Sequence, residues 1–192
     1  MPTPNGLAYA GVGSRATPND VLLDMHALAS VLGKAGWTLR TGNAPGADTA
    51  FFDGAEHVRG HTELYLPWPG FGPTHRQVPQ LYLQSRPDKP AYDLARAHHP
   101  AWVALNGAAR ALHARNVHQV LGRNLKAPAA FVVCWTLGAK GGGGTGQAIR
   151  LAHAYNVPVY DLGAGPRVLV RLLQDLELAG TPAGMPALQG PS

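Results

Sequence analysis

The chain has one cysteine among its 192 residues, which excludes an internal disulfide framework. That residue, Cys134, sits inside an apolar run and reads as a buried structural thiol rather than a nucleophile. Acids are scarce, 11 against 16 basic residues, so few side chains are on offer for acid–base chemistry. No apolar run reaches the length of a membrane span. The first residues do not place a charged stretch before an apolar core, and the expectation is a cytoplasmic protein with no membrane contact. There is no internal repeat and no second domain boundary.

What is present is a positive charge and many glycines. The formal net charge is +5, the pI is about 9.7, and twelve of the sixteen basic residues are arginine. Arginine is the side chain best matched to bidentate phosphate binding. Composition leaves two readings open, an anionic partner or charge for solubility. The 24 glycines and 17 prolines are spread along the chain, so they do not form a disordered tract. With 45% hydrophobic residues and this length, the chain can bury a core.

Short apolar runs alternate with helical patterns. Residues 7–13 predict a first strand entering a tight turn. A helix to about residue 35 follows, with Thr17 as N-cap, Pro18 as its first residue, Val21, Met25, Leu28 and Leu32 on one face, and Gly36 as its stop. Residues 37–40 predict a second strand and about 47–58 a second helix. A third strand falls at 63–66, a long helix at 107–121 and a fourth strand at 129–135. A helix at 148–155, a last strand at 157–160 and an amphipathic helix at 167–177 complete the pattern. Between them, 75–100 reads as loop and short helix, with Tyr82, Arg86, Tyr92, Arg96, His98 and His99 either stacking bases or forming ordinary surface. The His pair has no metal-ligand spacing around it, and no metal or cofactor is expected. Residues 1–178 are thus expected to be one domain with an insertion at about 67–100, and 179–192 a loosely held tail.

Alternating strands and helices imply parallel βαβ units. The expected fold is α/β, a Rossmann-like three-layer αβα sandwich with a mainly parallel sheet of order 3-2-1-4-5. In that order the loops after strands 1, 2 and 4 meet at one sheet edge, the topological switch point. All three contain glycine. They carry Gly13, Ser14 and Arg15; Thr41, Gly42, Asn43, Gly46 and Asp48; and Lys140, Gly143, Gly144, Thr145, Gly146 and Gln147. Glycine lets a backbone approach a phosphate, and a helix start offers free N–H groups to it. Asp48 reads equally as a partner of its helix dipole or as a ligand. Gly11, Gly13 and Ala16 fit the dinucleotide fingerprint. No acid ends the second strand, however, and that argues against an NAD dehydrogenase.

Gly11-Val-Gly-Ser-Arg15, Thr41-Gly-Asn-Ala-Pro-Gly-Ala-Asp48, Arg115-Asn116 and Gly143-Gly144-Thr145-Gly146 together resemble the SLOG superfamily, which joins DprA/Smf and LOG proteins. The chain looks closest to short stand-alone DprA-like proteins of phages. The resemblance spans about residues 7–161. It implies a nucleotide or a single DNA strand as ligand, a homodimer, and Arg115 and Asn116 as binding residues. Two departures stand out. DprA-like proteins place His four residues after the loop Asp, where this chain has Phe52. LOG phosphoribohydrolases carry a functional Glu where this chain has Arg150.

The resemblance therefore implies a DprA-like nucleotide- or single-stranded-DNA-binding protein in DNA processing or recombination. One alternative is a LOG-like nucleoside monophosphate N-glycosidase, for which Asp48 is the best-placed catalytic carboxylate. Another is a sensor or sequestering protein for a nucleotide signal, using the same pocket.

Overall fold

The computed structural model describes residues 7–72 and 80–178. Six strands form one sheet: β1 (Ala8–Gly11), β2 (Thr38–Thr41), β3 (Thr62–Tyr65), β4 (Leu81–Gln84), β5 (Val132–Cys134) and β6 (Val159–Asp161). Every pairing is parallel, and the order is β4-β3-β2-β1-β5-β6. The order expected for the five strands read from sequence is present, with one more strand at the β3 edge. That strand, β4, lies in the stretch read as loop and short helix. It is an edge strand that is only partly buried, and the prolines and basic residues around it make the stretch read as loop. By contrast β1, β2 and β3 are buried along their whole length, as strands covered on both faces must be.

Six helices cover the sheet: α1 (Asn19–Lys34), α2 (Ala47–His57), α3 (Lys89–Ala97), α4 (Gly107–Leu121), α5 (Gly143–Ala154) and α6 (Arg167–Leu178). One core joins Met25, Leu28, Leu32, Phe51, Leu172 and Leu176 to Tyr9, Leu39 and Val133, so α1, α2 and α6 share a face. The other joins Ala91, Ala95, Ala114, Val117, Val120, Leu121, Ala148 and Leu151 to Ala10 and Val132, so α3, α4 and α5 cover the opposite face. This is the three-layer αβα sandwich. Cys134 is fully buried between β5's neighbours, and burial pushes its thiol well up.

Two helix starts differ from expectation. Helix α1 begins one residue later, with Pro18 as N-cap, because the Thr17 hydroxyl instead donates to the Ser14 carbonyl at 2.8 Å. Helix α5 begins at Gly143, not 148. Most of the predicted glycine loop is therefore the first turn of a helix. The proposed tail, 179–192, lies outside the described residues.

Helix α4 has an unusual composition for its place. Residues 113–121 are all buried, yet they include His113, Arg115, Asn116, His118 and Gln119. Burying so many polar groups costs stability unless each is partnered. Two are turned toward the β3–β4 edge or its loops. His118 stacks on Tyr65 at a 5.4 Å ring separation, and His113 lies beside His99 at 4.5 Å. The remaining three face the sheet's carboxyl edge.

Candidate functional site

The loops after β1, β2 and β5 surround a cavity of about 840 Å³ at that edge. Its walls include Gly13, Ser14, Arg15, Asp48, Arg115, Asn116, Lys140, Gly143, Gly144 and Thr145, all singled out from sequence. The parallel order brings these segments, scattered over more than a hundred residues, to one mouth.

The floor is an ion pair. Arg115, reaching from α4, donates through Nη1 to Asp48 Oδ2 at 3.0 Å, and both side chains are almost fully buried. The Ala44 amide donates to the same oxygen at 3.2 Å, and the Gly13 amide also bonds the carboxylate. Burial raises the Asp48 pKa; Arg115 and these amides pull it back. Burial likewise lowers that of Arg115, which Asp48 offsets. The arrangement spends Asp48 on holding Arg115 and the two loops. The guanidinium also lies 5.8 Å from the Phe71 ring.

Gly42 explains how Arg115 gets there. A Cβ at position 42 would fall 1.0 Å from Arg115 Nη1 and 2.7 Å from Gln119 Nε2. The bare Cα is the slot through which α4 reaches Asp48. Gly46, at φ 92°, turns the same loop against the Ser14 carbonyl, a conformation costly for other residues. Neither Gly42 nor Gly46 lines the cavity; both hold the parts that do. Thr41 is similar, its buried hydroxyl donating to the Gly11 carbonyl at 2.7 Å. Asn43 lies in the left-handed region at φ 65° and donates to the Phe71 carbonyl at 2.6 Å.

The third wall is the start of α5. Gly142, the N-cap, and Gly143, Gly144 and Thr145 border the cavity, and no side chain caps the helix. Uncapped first-turn amides and the positive end of the helix dipole favour an anion. Asn116 fixes this turn by donating to the Gly144 carbonyl at 3.0 Å. Gly146 and Gln147 are turned away. Gln147 donates to the Ala95 carbonyl at 3.1 Å and accepts from Arg150. Arg150, standing where LOG proteins carry Glu, also donates to the His98 carbonyl and does not line the cavity.

Arg15 and Lys140 stand exposed on the rim. Neither has an acidic partner within ion-pair distance among the described residues. Glu63 is engaged elsewhere, accepting from Arg40 at 2.8 Å, Arg123 at 2.9 Å and Tyr65 at 2.7 Å on β3.

Sequence reading missed Leu112, Gln119, Trp135 and Thr136, which also border the cavity. Thr136 bonds Asp161 through both its amide and its hydroxyl, while its Oγ1 accepts from the Gly141 amide at 3.0 Å. This ties the approach to α5 down onto β6. Gln119 was in plain view as the residue one turn after Arg115, a spacing that shares a helix face.

The fold is a Rossmann-like α/β sandwich with a cavity at the topological switch point. Among solved structures, the molybdenum cofactor carrier protein of Chlamydomonas reinhardtii is similar at a TM-score of 0.51 and 20% identity, over 91% of this chain and 87% of that one. DNA processing protein A of Helicobacter pylori, described as binding single-stranded DNA, is similar at 0.53 and 19% identity, over 88% and 81%. At these identities the likeness is one of fold. No family model and no curated protein matches the chain by sequence.

Proposed function

We propose that this protein binds nucleotide phosphates at the switch-point cavity, as a DprA-like protein of DNA processing. The observation that carries the reading is the uncapped start of α5 facing two rim cations, Arg15 and Lys140, across one cavity. Amides of Gly143, Gly144 and Thr145 would take the phosphate oxygens, and the cations would neutralise them. Binding is favoured over base cleavage because, among the described residues, the one acid in the cavity wall, Asp48, is tied to Arg115 and two amides. An oxocarbenium-like state would need a carboxylate free to face it. A nucleotide sensor would use the same cavity in the same way.

The test measures affinity for a single-stranded oligonucleotide and for mononucleotides by anisotropy and calorimetry over a salt series. Arg15→Ala and Lys140→Ala are each expected to weaken binding about fivefold or more. A strand crossing the rim gives a steep salt slope of several counterions, whereas a mononucleotide gives a slope near one or two. No binding of either ligand, or affinity indifferent to both substitutions, would overturn the reading. Free base released from a nucleoside monophosphate would replace it with the hydrolase.

A further inference from the structure

Two exposed apolar patches lie outside the cavity, and each is rimmed by charge of one sign. The first is the connection between α3 and α4. Pro100-Ala-Trp-Val-Ala-Leu105 carries no charged side chain, and Pro100, Ala101, Val103 and Ala104 are all exposed. Val103, at 88%, is the most exposed large apolar side chain among the described residues. The turn is held in shape by Arg110, which donates to the Trp102 and Val103 carbonyls at 3.4 and 3.2 Å and lies 5.7 Å from the Trp102 ring. Arg96 stands in the last turn of α3 just before it, and Arg150 donates to the His98 carbonyl beside it. None of these three arginines has an acidic partner within ion-pair distance among the described residues. An exposed apolar run with a charged rim marks an interaction surface.

The second patch is on α1. Asp20, Leu23, Asp24 and Ala27 are all exposed, and their spacing lines them up along one side of the helix. Leu23 is 71% exposed, second only to Val103 among the described large apolar side chains outside the cavity wall. Partial burial first, and then the Asp20 charge one turn away, raise the Asp24 pKa. Neither carboxylate has an ion-pair partner among the described residues. Elsewhere exposed acids do find a cation one turn away, Asp93 on Lys89 in α3 and Asp175 on Arg171 in α6. The α1 acids have no such neighbour.

The two patches cannot meet within one molecule. Helix α1 packs through Met25, Leu28 and Leu32 on one face of the sheet, and Trp102 packs against the core on the other. Between two molecules they match, apolar turn against apolar stripe and arginines against carboxylates. A polyanion or an anionic lipid surface would meet the arginines alone and leave the α1 stripe uncovered. We infer that copies of this chain associate head to tail, the Trp102–Ala104 turn of one seating on the Leu23 stripe of the next, with Arg96 and Arg110 facing Asp20 and Asp24. The apolar contact supplies affinity, while the rim charges fix the register and speed the encounter. The contact is heterologous, so each assembly keeps a free turn at one end and a free α1 at the other, and grows unless its rotation closes a ring. None of these residues borders the cavity, so the association is independent of what the cavity binds.

Sedimentation velocity of the wild-type chain without nucleotide, over roughly 5 to 200 µM and at two salt concentrations, tests this. Species larger than the monomer should grow with protein concentration and recede as salt screens the rim. A variant with Asp20→Lys and Asp24→Lys, and a second with Val103→Glu, should each weaken association about tenfold or more. All three positions are exposed, so both variants should melt close to the wild type. Mixing them fixes the geometry. The first variant keeps an intact turn and the second an intact α1, so the mixture should associate where neither does alone. A wild type that stays monomeric over the whole range overturns the inference, even if the turn binds anionic vesicles or an oligonucleotide. Association that both variants retain overturns it too. So does a mixture no larger than its components, which would mean that like patches meet in a symmetric dimer.

Discussion

At the scale of single residues, the site depends on what position 42 lacks. Any side chain there occupies the space of the Arg115 guanidinium, whose Nη1 lies 1.0 Å from the Cβ position. Gly42→Ala is therefore expected to push Arg115 off Asp48 and leave a buried carboxylate unpaired. Separating one partner of a buried ion pair costs on the order of 3 kcal/mol or more. Urea unfolding of the variant should show a loss of about that size, alongside a loss of nucleotide binding. A change under about 1 kcal/mol would mean that Arg115 has another route to its partner. The role of Gly42 was half legible in sequence. Its place in a glycine loop was visible, but the reason for it was not, because the group that fills the slot comes from a helix more than seventy residues away.

At the scale of elements, the same limit shows in α4 and α5. The bounds of α4, Gly107–Leu121, follow from its sequence pattern, with Leu112, Val117 and Val120 as apolar supports. What the pattern could not tell is that the polar residues between them are buried too. A helix flanked by α3, α5 and the sheet has little solvent-facing side, and its polar groups must find partners on neighbouring elements, as Arg115 does on Asp48 and Asn116 on the Gly144 carbonyl. Glycines in sequence suggested a loop before α5, because glycine disfavours helix interiors. The turn forms regardless, since Asn116 holds the Gly144 carbonyl and Thr136 holds the Gly141 amide. The uncapped N-terminus can be tested by capping it. Gly142 has extended backbone (φ −80°, ψ 167°) and open space where a Cβ would stand. Gly142→Asp should place a carboxylate on the first-turn amides and stabilise the fold by about 0.5–1 kcal/mol. The same carboxylate would occupy the anion position, so nucleotide affinity should fall at least tenfold as the melting temperature rises. Binding that survives the cap would locate the phosphate elsewhere.

At the scale of the whole molecule, the expected order of five strands and the meeting of three loops hold because parallel βαβ connectivity is strongly constrained. The sixth strand escaped because a four-residue edge strand, with Leu83 exposed, is too short to leave a periodic trace among prolines and basic residues. The packing of α3 and its following loop against α4 has a consequence that reaches the global stability. His113 is buried beside His99, with Arg150 and Arg115 nearby. Burial first, and then these positive neighbours, bring its pKa down to about 4, and burial and Arg150 lower that of His99. In the unfolded chain a histidine titrates near 6.5. Between pH 6.5 and 4 the unfolded state therefore binds more protons than the folded one, and stability rises with pH across that window. The contribution is fully present above about pH 6.5 and is lost as pH falls toward 4. Melting temperature should accordingly decline from pH 7 to pH 4.5. His113→Gln, which cannot take a proton there, should flatten that decline while keeping a side chain of similar polarity. Both groups lie on the flank of the cavity and outside its wall, so the loss of stability should precede any titration of the phosphate site itself. An unaltered pH slope in the variant would show that His113 does not carry the acid sensitivity.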